Sequence, residues 1–155
     1  MNCPAAAALL QSIDSTIVDI DSVSGTNPLI DAYFAKFLAV YVCGIYEEAI
    51  ENIVVDFVNR NTARQEIVTY MRKHLHKYFR NPNLEKLIEL IGGFGNSTWK
   101  TDLRQLTSQG LALDSIVNNK NALAHGQMTT STLSEIKSYY AQSRLVIERM
   151  DTLMI

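Results

Sequence analysis

Between Leu111 and Gly126 the chain reads LALDSIVNNKNALAHG, and four of its polar residues fall at steps that a helix aligns. Asp114, Asn118, Asn121 and His125 follow one another at steps of four, three and four residues. That spacing sets them on one stripe beside an apolar face of Leu113, Ile116, Val117, Leu123 and Ala124. Such a row is costly to bury without partners and cheap on a cleft wall or a symmetric interface. Its chemistry is proton transfer: an amide at i and an imidazole at i+4 meet on one face, so Asn121 is placed to orient His125 and fix its tautomer. Taken without its neighbours, a histidine beside a glycine at a helix end is a cap or a solvated surface group. Lys120 breaks the pattern, because ideal phase puts it near the middle of the apolar face. A lysine there must snorkel, pair with a carboxylate or meet another subunit. Glu47 and Glu48 are the natural carboxylates for it.

The elements that must hold these residues read as helices. Asp21 to Asn27 is a loop, with Thr26 or Asn27 as N-cap and Pro28 in the first turn of a helix. Leu29 to Asn59 contains no Pro and a single Gly, Gly44. Tyr33, Phe34, Phe37, Val40, Tyr41 and Ile45 recur along it at helical steps, which predicts one long amphipathic helix. Asn61 or Thr62 then caps a helix with Ile67, Val68, Met71, Leu75, Tyr78 and Phe79 as its apolar positions, ended by Asn81-Pro82. Leu84 to Ile91 predicts a short helix that stops at the turn Gly92 to Asn96. Ser97 caps a further helix through about Ser108 with Gly110 as its stop, and Leu111 to Ala124 is the helix of the polar stripe. Thr129 to Ser134 caps a last helix from Leu133 to about Thr152, in which Tyr139, Tyr140, Met150 and Met154 are packing residues. Period-2 alternation is missing throughout. The expected fold is all-α, a bundle of five to seven helices in one domain spanning residues 1–155.

Composition narrows the function classes. The chain has 155 residues, 47% hydrophobic and 19% charged, with a formal net charge of −2. That balance excludes a protein that coats nucleic acid through a broad basic field, but leaves room for a local phosphate site. One such locality is visible: Arg64, Arg72, Lys73, His74, His76, Lys77 and Arg80 lie within seventeen residues, with Tyr78 and Phe79 as stacking surfaces. A solvated helix face with cations at its C-terminal end is the plainer account of the same residues. His74 and His76 are two apart and face different sides of a helix, so no metal site is expected from them. The glycine-rich run GGFGNSTWK lacks phosphate-loop spacing and reads as an interhelical turn with Trp99 packed beneath it. Cys3 and Cys43 show no ligand spacing and are expected as reduced thiols. No basic residue precedes Lys36, so the apolar stretch Ala5 to Leu10 lacks the n-region of a signal peptide. No apolar stretch approaches the roughly 20 residues that cross a bilayer. A cytoplasmic protein without a cofactor is the resulting expectation.

KNALAHG, following LDSIVNN, resembles the signature of the HEPN domains, in particular the RiboL-PSP-HEPN branch. HEPN domains are all-α bundles whose motif is Arg, four to six residues, then His, often with a polar residue after the Arg. The run CGIYEEAIENIV is similar to that branch's second motif, a Gly followed shortly by a Glu, and the likeness extends over about Asp31 to Ile147. It implies metal-independent RNA cleavage at a homodimer interface where two copies of the motif face one another. By position it implies His125 as the acid/base or phosphate-contacting group, Asn121 as its orienting neighbour and Lys120 as the cation. Glu47, and less directly Glu48, are implied as the partners of that cation, with Asn118 and Asp114 supporting. Phosphate contacts are implied for Lys120 and for Arg72, Lys73 and Lys77 of the basic segment. A prokaryotic defence or toxin–antitoxin setting, with an antitoxin or defence-system partner, belongs to the same implication. Lysine stands where the family has arginine: a point charge replaces a planar fork that holds two oxygens. Three readings therefore stay open: an endoribonuclease, a non-catalytic HEPN module binding RNA, a nucleotide or a protein, and a helical interaction domain with no nucleic-acid role.

Overall fold

Asn27 Oδ1 accepts the Leu29 N–H at 2.9 Å and Pro28 fills the first turn, so the longest helix begins where its sequence signals place it. The computed structural model describes residues 1–155 and contains seven helices and no strand. They are α1 (Pro4–Val23), α2 (Pro28–Asn61), α3 (Gln65–Tyr78), α4 (Leu84–Gly92), α5 (Ser97–Arg104), α6 (Thr107–Ala124) and α7 (Leu133–Leu153). This is the all-α bundle that the apolar periodicity implies. Helix α2 is its axis and touches α1, α3, α6 and α7, while α6 lies along α7 and α4 packs on α5. One cluster of 33 buried residues forms the core. Leu38, Val42, Tyr46, Ile50 and Ile53 of α2 meet Leu113, Ile116 and Val117 of α6 and Tyr140, Val146, Ile147 and Met150 of α7 there. The one buried hydroxyl pair, Tyr46 Oη and Ser143 Oγ at 2.8 Å, satisfies itself.

Several boundaries differ from the expectation. Helix α3 starts from Arg64 without a side-chain cap; Thr62 Oγ1 instead accepts the Arg64 N–H at 3.2 Å in the turn before it. Asn96, not Ser97, caps α5. The stop after α5 lies at Gln105-Leu106, and Gly110 sits inside α6, buried. Its glycine identity has a packing cause: a Cβ there would lie 2.3 Å from Leu84 Cδ2, so α4 and α6 approach closely only because residue 110 has no side chain. The last helix begins as its sequence suggests, with Thr132 and Glu135 forming a capping box.

The face assigned to α2 is also corrected. Its core side is Ala35, Leu38, Ala39, Val42, Cys43, Tyr46, Ala49 and Ile50, whereas Tyr33, Phe37 and Val40 point to solvent and Phe34, Tyr41 and Ile45 are half-buried. The helix is apolar around most of its circumference, so periodicity alone does not choose a face. For the same reason the membrane expectation needs amendment: by length and composition, with a mean hydropathy of 1.5 over its most apolar stretch, α2 is able to cross a bilayer. In this fold it packs against four other helices. Cys3 and Cys43 are free thiols, both buried.

Candidate functional site

The end of α6 is set by Gly126, which takes φ +69. The Gln127 N–H reaches the Ala122 carbonyl at 2.8 Å and the Gly126 N–H reaches the Leu123 carbonyl at 3.1 Å. This is a Schellman closure, and it needs a residue that tolerates the left-handed region. His125 is thereby fixed as the C-cap, with its side chain exposed to solvent. The amide–imidazole contact expected between Asn121 and His125 is not formed. As the C-cap, His125 meets Asn121 through the helical backbone bond from His125 N–H to Asn121 C=O at 3.1 Å, while its side chain is exposed to solvent.

The rest of the polar stripe divides by task. Asp114 Oδ1 accepts the Leu84 N–H at 3.0 Å and so holds the first turn of α4 against α6. Asn118 is exposed and Asn121 is half-buried beside it. Lys120 is half-buried, as its off-stripe phase requires, and Nζ donates to Asn81 Oδ1 at 2.6 Å.

Asn81 links this lysine to the carboxylate expected to pair with it. Its backbone N–H donates to Glu47 Oε1 at 2.9 Å, and Arg80 Nη1 lies 3.4 Å from Glu47 Oε2. Lys120 and Glu47 are thus joined through an intervening amide rather than in a direct ion pair. Asn81 adopts φ +54, a left-handed conformation in which Asn is among the few tolerated residues, and Pro82 follows it. Lys86 Nζ donates to the Arg80 carbonyl at 2.7 Å and holds the same turn. Directly beneath lies Cys43, whose thiol is pushed up to about 11, mainly by burial and further by the Glu47 charge, with Lys120 and Lys86 opposing.

A polar groove of about 450 Å³ opens beside this turn between α2 and α3, lined by Glu47, Glu48, Glu51, Arg72, His76 and Arg80. His76 Nδ1 lies 3.3 Å from Glu51 Oε2. Glu48 reaches the groove but forms no ion pair with Lys120. Arg72 lines the groove, whereas Lys73 and Lys77 lie on the outer side of α3 with Tyr70, His74 and Tyr78. The structure therefore brings together Lys120 and Glu47, and adds Asn81, which sequence reasoning missed, and Arg80, which it placed only in the basic segment. Asn81-Pro82 did mark a helix end, and an Asn before Pro is a sign of a sharp turn. Nothing in the spacing revealed that its side chain meets a residue 39 positions later.

Lys120 stands level with Asn81 and Glu47, and the segment Thr129–Ser134 shares a cleft with Pro28, Asp31, Ala32 and Lys36. His125 follows Lys120 by five residues, about 7.5 Å along the helix axis. The N-terminal half of α2 exposes Tyr33, Phe37 and Val40.

No curated protein and no solved structure significantly matches the chain. The family model of RiboL-PSP-HEPN matches residues 6–155. Helix order, the Gly44–Glu47 segment of α2 and the Lys120–Gly126 end of α6 all fall inside that match, and the chain belongs to the RiboL-PSP-HEPN family, a family read as ribonucleases.

Proposed function

We propose that this protein is a metal-independent endoribonuclease that works as a homodimer, within a prokaryotic defence or toxin–antitoxin-type system. The observation that carries the reading is Lys120: a half-buried ammonium bonded to Asn81, whose backbone Glu47 holds in turn, at the end of a helix capped by an exposed His125 with no partner in its own chain. RNA supplies its own nucleophile. The 2′-OH attacks the adjacent phosphorus, the bond from phosphorus to the 5′-oxygen breaks, and the products are a 2′,3′-cyclic phosphate and a 5′-OH. His125 moves the proton, from the 2′-oxygen or onto the leaving 5′-oxygen. Lys120 supplies positive charge to the phosphate oxygens, and Asn121 beside it offers a hydrogen bond. Arg72 in the groove, and Lys73 and Lys77 on α3, add phosphate contacts farther along the strand.

The proposed chemistry calls for a two-fold arrangement. One chain presents one exposed His125, and a second copy laid on the exposed apolar strip of α2 is the arrangement we propose for bringing two such histidines to one cleft. The partners implied by the reading are the second copy, RNA and an antitoxin or defence-system protein.

The test incubates the purified protein and its His125→Ala variant with structured RNA in EDTA. Cleavage by the parent, lost at least a hundredfold in the variant, supports the proposal. Cleavage by both, or cleavage only when a divalent metal is added, overturns it. A second reading, a non-catalytic module of the same family that binds RNA, a nucleotide or a protein, is favoured by the single point charge of Lys120 and the unoriented His125. It predicts that neither protein cuts and that Lys120→Arg, which restores the planar fork, gains activity.

A further inference from the structure

We propose that the solvent face of α3 is a base-stacking site for unpaired RNA, distinct from the Lys120–His125 region and leading into it. Tyr70, His74 and Tyr78 occur at successive i, i+4 positions of α3 and form a continuous ladder. The ring centroids are 5.7 Å apart for Tyr70–His74 and 4.9 Å for His74–Tyr78. No other element covers them: Tyr70 is 65% exposed and Tyr78 63%. Three neighbouring rings open to water are a ready surface for further stacking, and every base has a π-face to offer.

Charge identifies the occupant. Five of the chain's Lys and Arg residues, and a single carboxylate, Glu66, lie between Arg64 and Arg80. Lys73 and Lys77 flank the ladder without an ion pair, and Lys77 Nζ sits 4.8 Å from the Tyr78 ring centroid. Rings lined by unpaired ammonium groups match a strand of bases joined by phosphates. Paired RNA keeps its bases stacked inside the helix, so it would offer this convex face only phosphates. Glu66, one turn before Tyr70, limits the platform at that end. At the other end Tyr78 stands three residues before Asn81, whose side chain holds Lys120, a chain distance of at most about 11 Å. A strand stacked on α3 is thereby delivered to the cation that the ribonuclease reading places at the phosphate. The proposal rests on that reading for its substrate, but binding is measurable without cleavage.

The experiment uses the full chain carrying His125→Ala, so that no probe is consumed, and follows fluorescence anisotropy of a labelled oligoadenylate and of a duplex RNA of equal length. The expected result is preference for the single strand, weakened about tenfold or more by Tyr70→Ala with Tyr78→Ala. Tyr70→Phe with Tyr78→Phe should retain binding, because rings rather than hydroxyls carry the contact. Lys73→Gln with Lys77→Gln should reduce the slope of log affinity against log salt by about 1.4. All four positions are exposed, and an unchanged circular dichroism spectrum confirms the fold. Binding of the double alanine variant within twofold of the parent, equal affinity for duplex, or no RNA binding at low salt would each overturn the proposal. Loss of binding in the alanine variant of a protein that never cleaves RNA would support the stacking site and remove only the nuclease.

Discussion

Lys120 shows how a single side chain is placed by residues far from it in sequence. A lysine at an apolar helix position keeps its charge only if something polar meets its end. Here that group is the amide of Asn81, and Glu47 holds the Asn81 backbone from below. The left-handed φ of Asn81 separates two effects. Asn81→Gly keeps that conformation and removes the acceptor, so urea unfolding should change by less than about 1 kcal/mol while RNA cleavage falls about tenfold. Asn81→Ala should lower cleavage equally and also cost about 1–2 kcal/mol of stability, for the Cβ strain of the left-handed region. Unchanged cleavage in Asn81→Gly would show that Lys120 does not need its amide. The off-phase position of Lys120 and its need for a partner were legible in the sequence. Its actual partner was not, because helical phase describes one element and this bond crosses between two.

At the scale of elements, α1 is fastened by a residue at the opposite end of the chain. Its N-cap, Cys3, makes no side-chain cap bond, and the amides of Asn2 and Cys3 that lead into α1 need an acceptor from elsewhere. Asp151 of α7 supplies it, buried, with Oδ1 accepting the Cys3 N–H at 2.9 Å and Oδ2 accepting the Asn2 N–H. Truncating Asp151 leaves the buried Cys3 N–H unsatisfied, so Asp151→Ala should lower the unfolding free energy by about 1–3 kcal/mol. Asp151→Asn, which keeps one acceptor oxygen, should recover part of that loss in the same urea titrations. Equal stability of the parent and the alanine variant would mean that water replaces the carboxylate. The break between α5 and α6 has a related origin. Sequence placed a stop at Gly110 because glycine commonly follows helices, whereas close contact with Leu84 is what requires glycine there. A glycine that ends a helix and one that admits a neighbour look alike until the neighbour is known.

For the whole molecule, the open question is what lies on α2. Tyr33 and Phe37 are 61% and 51% exposed, and Leu29, Ile30 and Val40 continue the same apolar strip toward Gly44. The proposed homodimer covers this strip and brings the two His125 side chains together. Phe37→Glu should then convert dimer to monomer in sedimentation at micromolar concentration, with helix content unchanged, because Phe37 leaves the core of its own chain intact. RNA cleavage should fall with the dimer, and a fully active Phe37→Glu monomer would separate catalysis from assembly.

By itself the sequence determined the helical class, the ends of α2, α4 and α7 and the family, since these rest on apolar period, capping residues and short motifs that are local in the chain. Asn27, Thr132 and Gly126 act as their types predict. Tertiary structure alone decided which side of α2 is core, that Lys120 and Glu47 meet through Asn81, and that Tyr70, His74 and Tyr78 stand uncovered. The physical reason is common to all three. A helix apolar on most sides has no preferred face until neighbours take some of it, and a polar side chain has no partner until packing brings one within about 3 Å.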